Sequence, residues 1–69
     1  MLSPLTRIRL EQEFPQWKLA ARTGIRAPRI SVIECSRVRP RLSELRRIAA
    51  VLKVPVGALI DEEIGVEEE

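Results

Sequence analysis

The stretch that most constrains the fold is "QWKLAARTGIRAPRISVIE", residues 16–34. Two short segments with helical spacing of apolar residues flank a single glycine, Gly24. Glycine takes the left-handed backbone conformation without a steric penalty, so Gly24 predicts the end of one helix and a sharp turn. Ala20, four residues earlier, is small enough to let a second helix approach. Ile25 follows the glycine, and Ile30 and Ile33 follow six and nine residues after it. This spacing pins the second segment to a core along one face and leaves its opposite face outward. The two helices are expected to meet at about 90–120°.

The rest of the chain extends the pattern. "SPLTRIRLEQE" reads as a first helix, with Ser3 as cap and Pro4 at the first helical position. Leu5 and Ile8 share a face, with Leu10 beside it. "PQWKLAART" is the second helix, with Leu19, Ala20 and Thr23 inward. "APRISVIEC" is the third, and "SRVRP" a loop. "LSELRRIAAVLK" is the fourth, with Leu42, Leu45, Ile48, Ala49 and Leu52 at helical spacing. "PVGALI" is a short fifth. No stretch alternates in the manner of a strand. The expected fold is all-α, a compact bundle of four to five short helices. Only Phe14 and Trp17 are aromatic, so the core must be aliphatic. Trp17 is expected near the surface, either packed on the first helix beside Phe14 or stacked on a partner.

Charge is segregated along the chain. Residues 1–60 hold all 12 Lys and Arg against four acids, a net of +8; residues 61–69 hold six acids and no base, a net of −6. The division predicts a body over 1–60 and an acidic C-terminal tail over 61–69. A strongly basic body points to a polyanionic partner. Ten of the 12 bases are Arg, whose planar fork suits phosphate and guanine. Arg22, Arg26 and Arg29 crowd the turn around Gly24, which a lone bundle gains nothing from. No apolar run approaches the roughly 18 residues of a membrane span. The start lacks a signal-peptide core, and the single Cys35 has no internal disulfide partner, so a cytoplasmic protein is expected. Histidine is absent, no glycine-rich phosphate loop exists, and no metal-ligand spacing is found. Catalysis, cofactors and metals are therefore not expected.

These motifs resemble the lambda repressor/Cro-type helix-turn-helix family, also called the XRE family. The resemblance covers about residues 5–60. It rests on Arg9, Gln16, Leu19-Ala20, Gly24-Ile25, "ISVIE" at 30–34, Pro40, and "LRRIAAVLKVPVGAL" at 45–59. It implies double-stranded DNA as partner and the third helix as the reader of the major groove. Ala27, Pro28 and Val32 fall where base edges are usually met, and Arg26 and Arg29 flank them within reach of a guanine. Gln16 falls where a phosphate is fixed, and Arg37, Arg39 and Arg41 where the chain follows the sugar-phosphate backbone. Arg9 and Glu34 match a buried structural ion pair between the first and third helices. Glycines common in the family are replaced by Glu13, Ser36 and Lys53, and its capping serines by Pro15, Arg26, Arg41 and Pro55. The resemblance implies a transcription regulator such as a repressor, homodimeric through its C-terminal helices. The alternatives are a helix-turn-helix protein-interaction module, such as an antitoxin or adaptor, and the N-terminal fragment of a longer regulator.

Overall fold

A computed structural model of the chain describes residues 2–67. Glu68 and Glu69 of the acidic tail, and Met1, lie outside the described residues. Four α-helices follow one another: α1 Pro4–Glu11, α2 Gln16–Thr23, α3 Ala27–Glu34 and α4 Leu42–Leu52. A single 3-10 turn, Val56–Leu59, replaces the short fifth helix. The expected first helix is shorter at both ends than the sequence pattern allowed. Ser3 stays outside as its cap, with Oγ accepting from the Thr6 backbone N–H at 3.2 Å.

The core is aliphatic. Leu19, Ile30, Leu45, Ile48 and Leu52 are its largest fully buried side chains. Leu5 and Ile8 from α1, Ile25 from the turn and Leu59 from the 3-10 turn complete the contact with Ile33 and Ala49. Burying each of the Leu and Ile side chains contributes about 1.5–3 kcal/mol. Leu10 does not join them and is exposed, because it sits two residues past Ile8 and so about 200° around the helix. Val54, Val56, Ile60 and Val66 pack half-buried against this core.

The helix ends follow from local chemistry. Gly24 has φ 76° and its N–H bonds to the Ala20 carbonyl at 2.9 Å, which closes α2 and turns the chain into α3. Three other helix ends use the same left-handed conformation without glycine: Glu13 at φ 53°, Ser36 at 59° and Lys53 at 58°. After each of them the next N–H reaches back to the last turn: Phe14 to Arg9 at 2.9 Å, Arg37 to Val32 at 3.0 Å and Val54 to Ala49 at 3.1 Å. These are Schellman closures made by residues that pay a Cβ clash there.

The acidic stretch does not simply trail away. The Asp61 carbonyl accepts from Ile64 and Gly65, and Asp61 Oδ1 accepts from the Glu63 N–H. Gly65, at φ 83°, then reverses the chain. Glu67 donates its N–H to the Pro40 carbonyl at 2.8 Å, beside the start of α4.

Candidate nucleic-acid interface

The turn after α2 sets α3 with Ile30 and Ile33 buried, so the opposite side of its first turn faces outward. Arg26, Ala27 and Pro28 are exposed there, and Val32 is half-buried one turn later. Arg26 is the N-cap residue of α3 and offers the helix no side-chain acceptor. Arg41 occupies the same place on α4. A helix N-terminus already carries partial positive charge from its unpaired N–H groups. Placing guanidinium groups at both termini forgoes the stabilisation of a Ser or Asp cap and raises the local potential instead.

Arg37, Arg39 and Arg41 are exposed along the loop from α3 to α4. Among the described residues, Arg26, Arg37 and Arg39 make no ion pair. Arg26 and Arg41 also line an open groove of about 400 Å³ together with Arg29, Glu44 and Arg47. Trp17, at the start of α2, is 70% exposed. The Phe14 ring carries the Lys18 ammonium 5.0 Å from its centroid.

Two candidate residues have intramolecular partners that the sequence did not announce. Arg29 does not stand free for a guanine: its Nε and Nη2 donate side-on to both carboxylate oxygens of Glu44, at 2.8 and 2.9 Å. Gln16 donates through Nε2 to Glu34 Oε1 at 2.9 Å. That carboxylate is also gripped by Arg9, through Nε to Oε2 at 2.7 Å and Nη2 to Oε1 at 3.0 Å. Arg9 Nη1 donates to the Phe14 carbonyl at 3.0 Å. The side chains of Arg9 and Glu34 are 12% and 6% exposed. One carboxylate thus ties the end of α1, the start of α2 and the end of α3, which fixes the angle at which α3 is presented. Gln12 adds a further tie, donating to the Leu52 carbonyl at the end of α4 at 2.8 Å.

Glu44 has a double role. Its Oε1 also accepts from the Arg41 backbone N–H at 2.8 Å, closing the start of α4 where Arg41 cannot. The hydrogen bond from Arg29, then that from the Arg41 backbone, holds the Glu44 carboxyl below its ordinary value of 4.5, against the opposing effect of burial. The same hydrogen bond raises Arg29. A carboxyl depressed on folding stabilises the fold above its unfolded pKa, and that contribution is lost as pH falls through the folded value. Glu44→Gln is expected to destabilise the protein by about 1–2 kcal/mol at pH 7. In urea unfolding between pH 7 and pH 3, the gap to wild type should close as the pH drops below the ordinary glutamate range. A gap that stays constant down to pH 3 would show that the pair contributes nothing electrostatic.

Cys35 is exposed at the end of α3, and among the described residues no cluster of His, Cys, Asp and Glu is placed to hold a metal ion. No helix among them is long and apolar enough to cross a membrane.

Comparison with known families places these features. A helix-turn-helix family model matches residues 5–59, from the first buried leucine of α1 to the last of the 3-10 turn. Neither the curated proteins nor the solved structures contain a significant match. The matched span covers the turn at Gly24, the outward face of α3 and the network around Glu34. The chain belongs to the lambda repressor/Cro-type (XRE) family of DNA-binding helix-turn-helix domains, typically found in transcription regulators.

Proposed function

We propose that this chain is a regulator of transcription that sets α3 into the major groove of DNA. Residues 1–60 form the binding body, and 61–69 are an acidic appendage. The observation that carries this reading is the exposure of Ala27 and Pro28 on α3 together with that of Arg26, Arg37, Arg39 and Arg41. The arginines anchor phosphates beside the groove that α3 enters. Ala27, Pro28 and Val32 have no side-chain hydrogen-bonding groups. They read the thymine methyl and the shape of the groove. The open N–H groups at the start of α2, beside Gln16, supply a further phosphate contact. Gln16 itself acts there by orienting Glu34. A homodimer joined near Val54, Val56, Ile60 and Ile64, all half-buried, would space two copies of α3 about 34 Å apart on the duplex. Such a dimer on a promoter would act as a repressor by steric exclusion.

The test is binding to a labelled random duplex and to the DNA upstream of the protein's own gene, across a salt series. Arg37→Ala and Arg39→Ala should each weaken binding to both duplexes alike and flatten the slope of log K against log salt by about 0.9. Unchanged slopes would remove these residues from the interface. Absence of binding at low salt would leave a protein partner as the better reading, and the exposed Leu2, Leu10 and Trp17 would then be its first candidate contacts.

A further inference from the structure

The start of α4 already holds an anion, and it belongs to the chain itself. The Glu67 carboxylate lies 3.8 Å from Arg41 Nε. Its position is not that of a loose tail. The Glu67 N–H is bonded to the Pro40 carbonyl at 2.8 Å, and residues 41 and 67 pair as a parallel bridge. Val66 rests on the core, and the Asp61 turn and the left-handed Gly65 aim the chain back toward Pro40. The acidic segment therefore meets the body at one of the exposed arginines assigned to the DNA backbone.

We propose that residues 61–67 form a strap in which Glu67 occupies the phosphate position at Arg41, so that DNA must displace the protein's own carboxylate to bind there. This rests on the DNA-binding reading above. Both groups are more than half exposed, so the contact is weak and easily exchanged. A weak competitor suits a regulator: it discounts binding to any duplex, and only a site that offers further contacts overcomes it. The discount falls as salt rises, because the internal pair and the phosphate contact are both screened.

The test is a double-mutant cycle on the full chain, using a labelled random duplex at low salt and heparin as a second polyanion. Glu67→Gln keeps the backbone bond to Pro40 and removes the charge. It should tighten duplex binding about two- to fivefold. Glu62→Gln removes the same charge from an exposed tail position and should do distinctly less. Arg41→Gln should weaken binding, and in that background Glu67→Gln should give no gain. A gain from Glu67→Gln equal to that from Glu62→Gln, or one that persists without Arg41, overturns the strap and leaves a general charge effect. If no variant binds the duplex but the cycle holds on heparin, the DNA reading fails and the strap stands. If no variant binds either polyanion, both fail. Circular dichroism of each variant confirms that the helices are retained.

Discussion

Arg9→Met is expected to lower the unfolding free energy by about 3–5 kcal/mol, because it strands a carboxylate in the interior. Glu34 is 6% exposed, and the guanidinium of Arg9 supplies two of the three side-chain donors that reach it. Without Arg9 only the Gln16 amide remains, and the Phe14 carbonyl loses its partner as well. A core of this size rarely yields more than about 3–5 kcal/mol of net stability, so the variant should be largely unfolded at 25 °C. The asymmetry between breaking a buried pair and removing it entirely makes the argument testable. The double variant Arg9→Met/Glu34→Leu should recover most of the loss, since no charge is left behind. Thermal unfolding followed by circular dichroism reads both. A single-variant loss under about 1 kcal/mol would mean that water screens the pair, as it does at a surface.

Glu13→Gly/Ser36→Gly/Lys53→Gly should act in the opposite direction. Each of these residues holds a φ between 53° and 59°, where a Cβ is penalised by roughly 1–2 kcal/mol. Part of that gain is returned because glycine has more freedom in the unfolded chain. The net is about 0.5–1 kcal/mol at each position. The three sites close three different helices and are exposed, so their effects should add. The total, about 1.5–3 kcal/mol, corresponds to a rise in Tm of about 6–24 °C. Losing one acid and one base leaves the net charge unchanged, so non-specific DNA affinity should not move. No rise in Tm would mean that unfolded-state entropy cancels the strain in full.

The same trade is visible at the helix starts. Pro15, Arg26 and Arg41 stand at the N-caps of α2, α3 and α4, and none accepts a hydrogen bond from the helix through its side chain. Each missing cap forgoes about 1 kcal/mol. At α3 and α4 what replaces the cap is positive charge at the edge of the proposed interface. Glu44 restores part of the loss at α4 by accepting from the Arg41 backbone.

What the sequence determined by itself is local. Gly24 ends α2 in the left-handed conformation because only its own backbone and the Ala20 carbonyl are involved. The inward faces of α2, α3 and α4 follow from helical spacing, and the resemblance marked Glu13, Ser36 and Lys53 as replacing glycines, positions where the backbone proves to be left-handed. Arg9 and Glu34 could be paired in advance because a family pattern ties those two positions. What only the tertiary structure decided is which polar groups meet across the bundle. Arg29 and Glu44 are 15 residues apart, Gln16 and Glu34 are 18 apart, and Gln12 and Leu52 are 40 apart. Nothing in their spacing distinguishes Arg29 from Arg26, three residues before it. One finds a carboxylate on the neighbouring helix and the other faces outward, and that depends on how α3 and α4 are set against each other. The fold of the acidic tail onto Pro40 and Arg41 belongs with these, since its direction comes from a turn at Asp61 and Gly65 packed on a core that exists only once the helices have assembled.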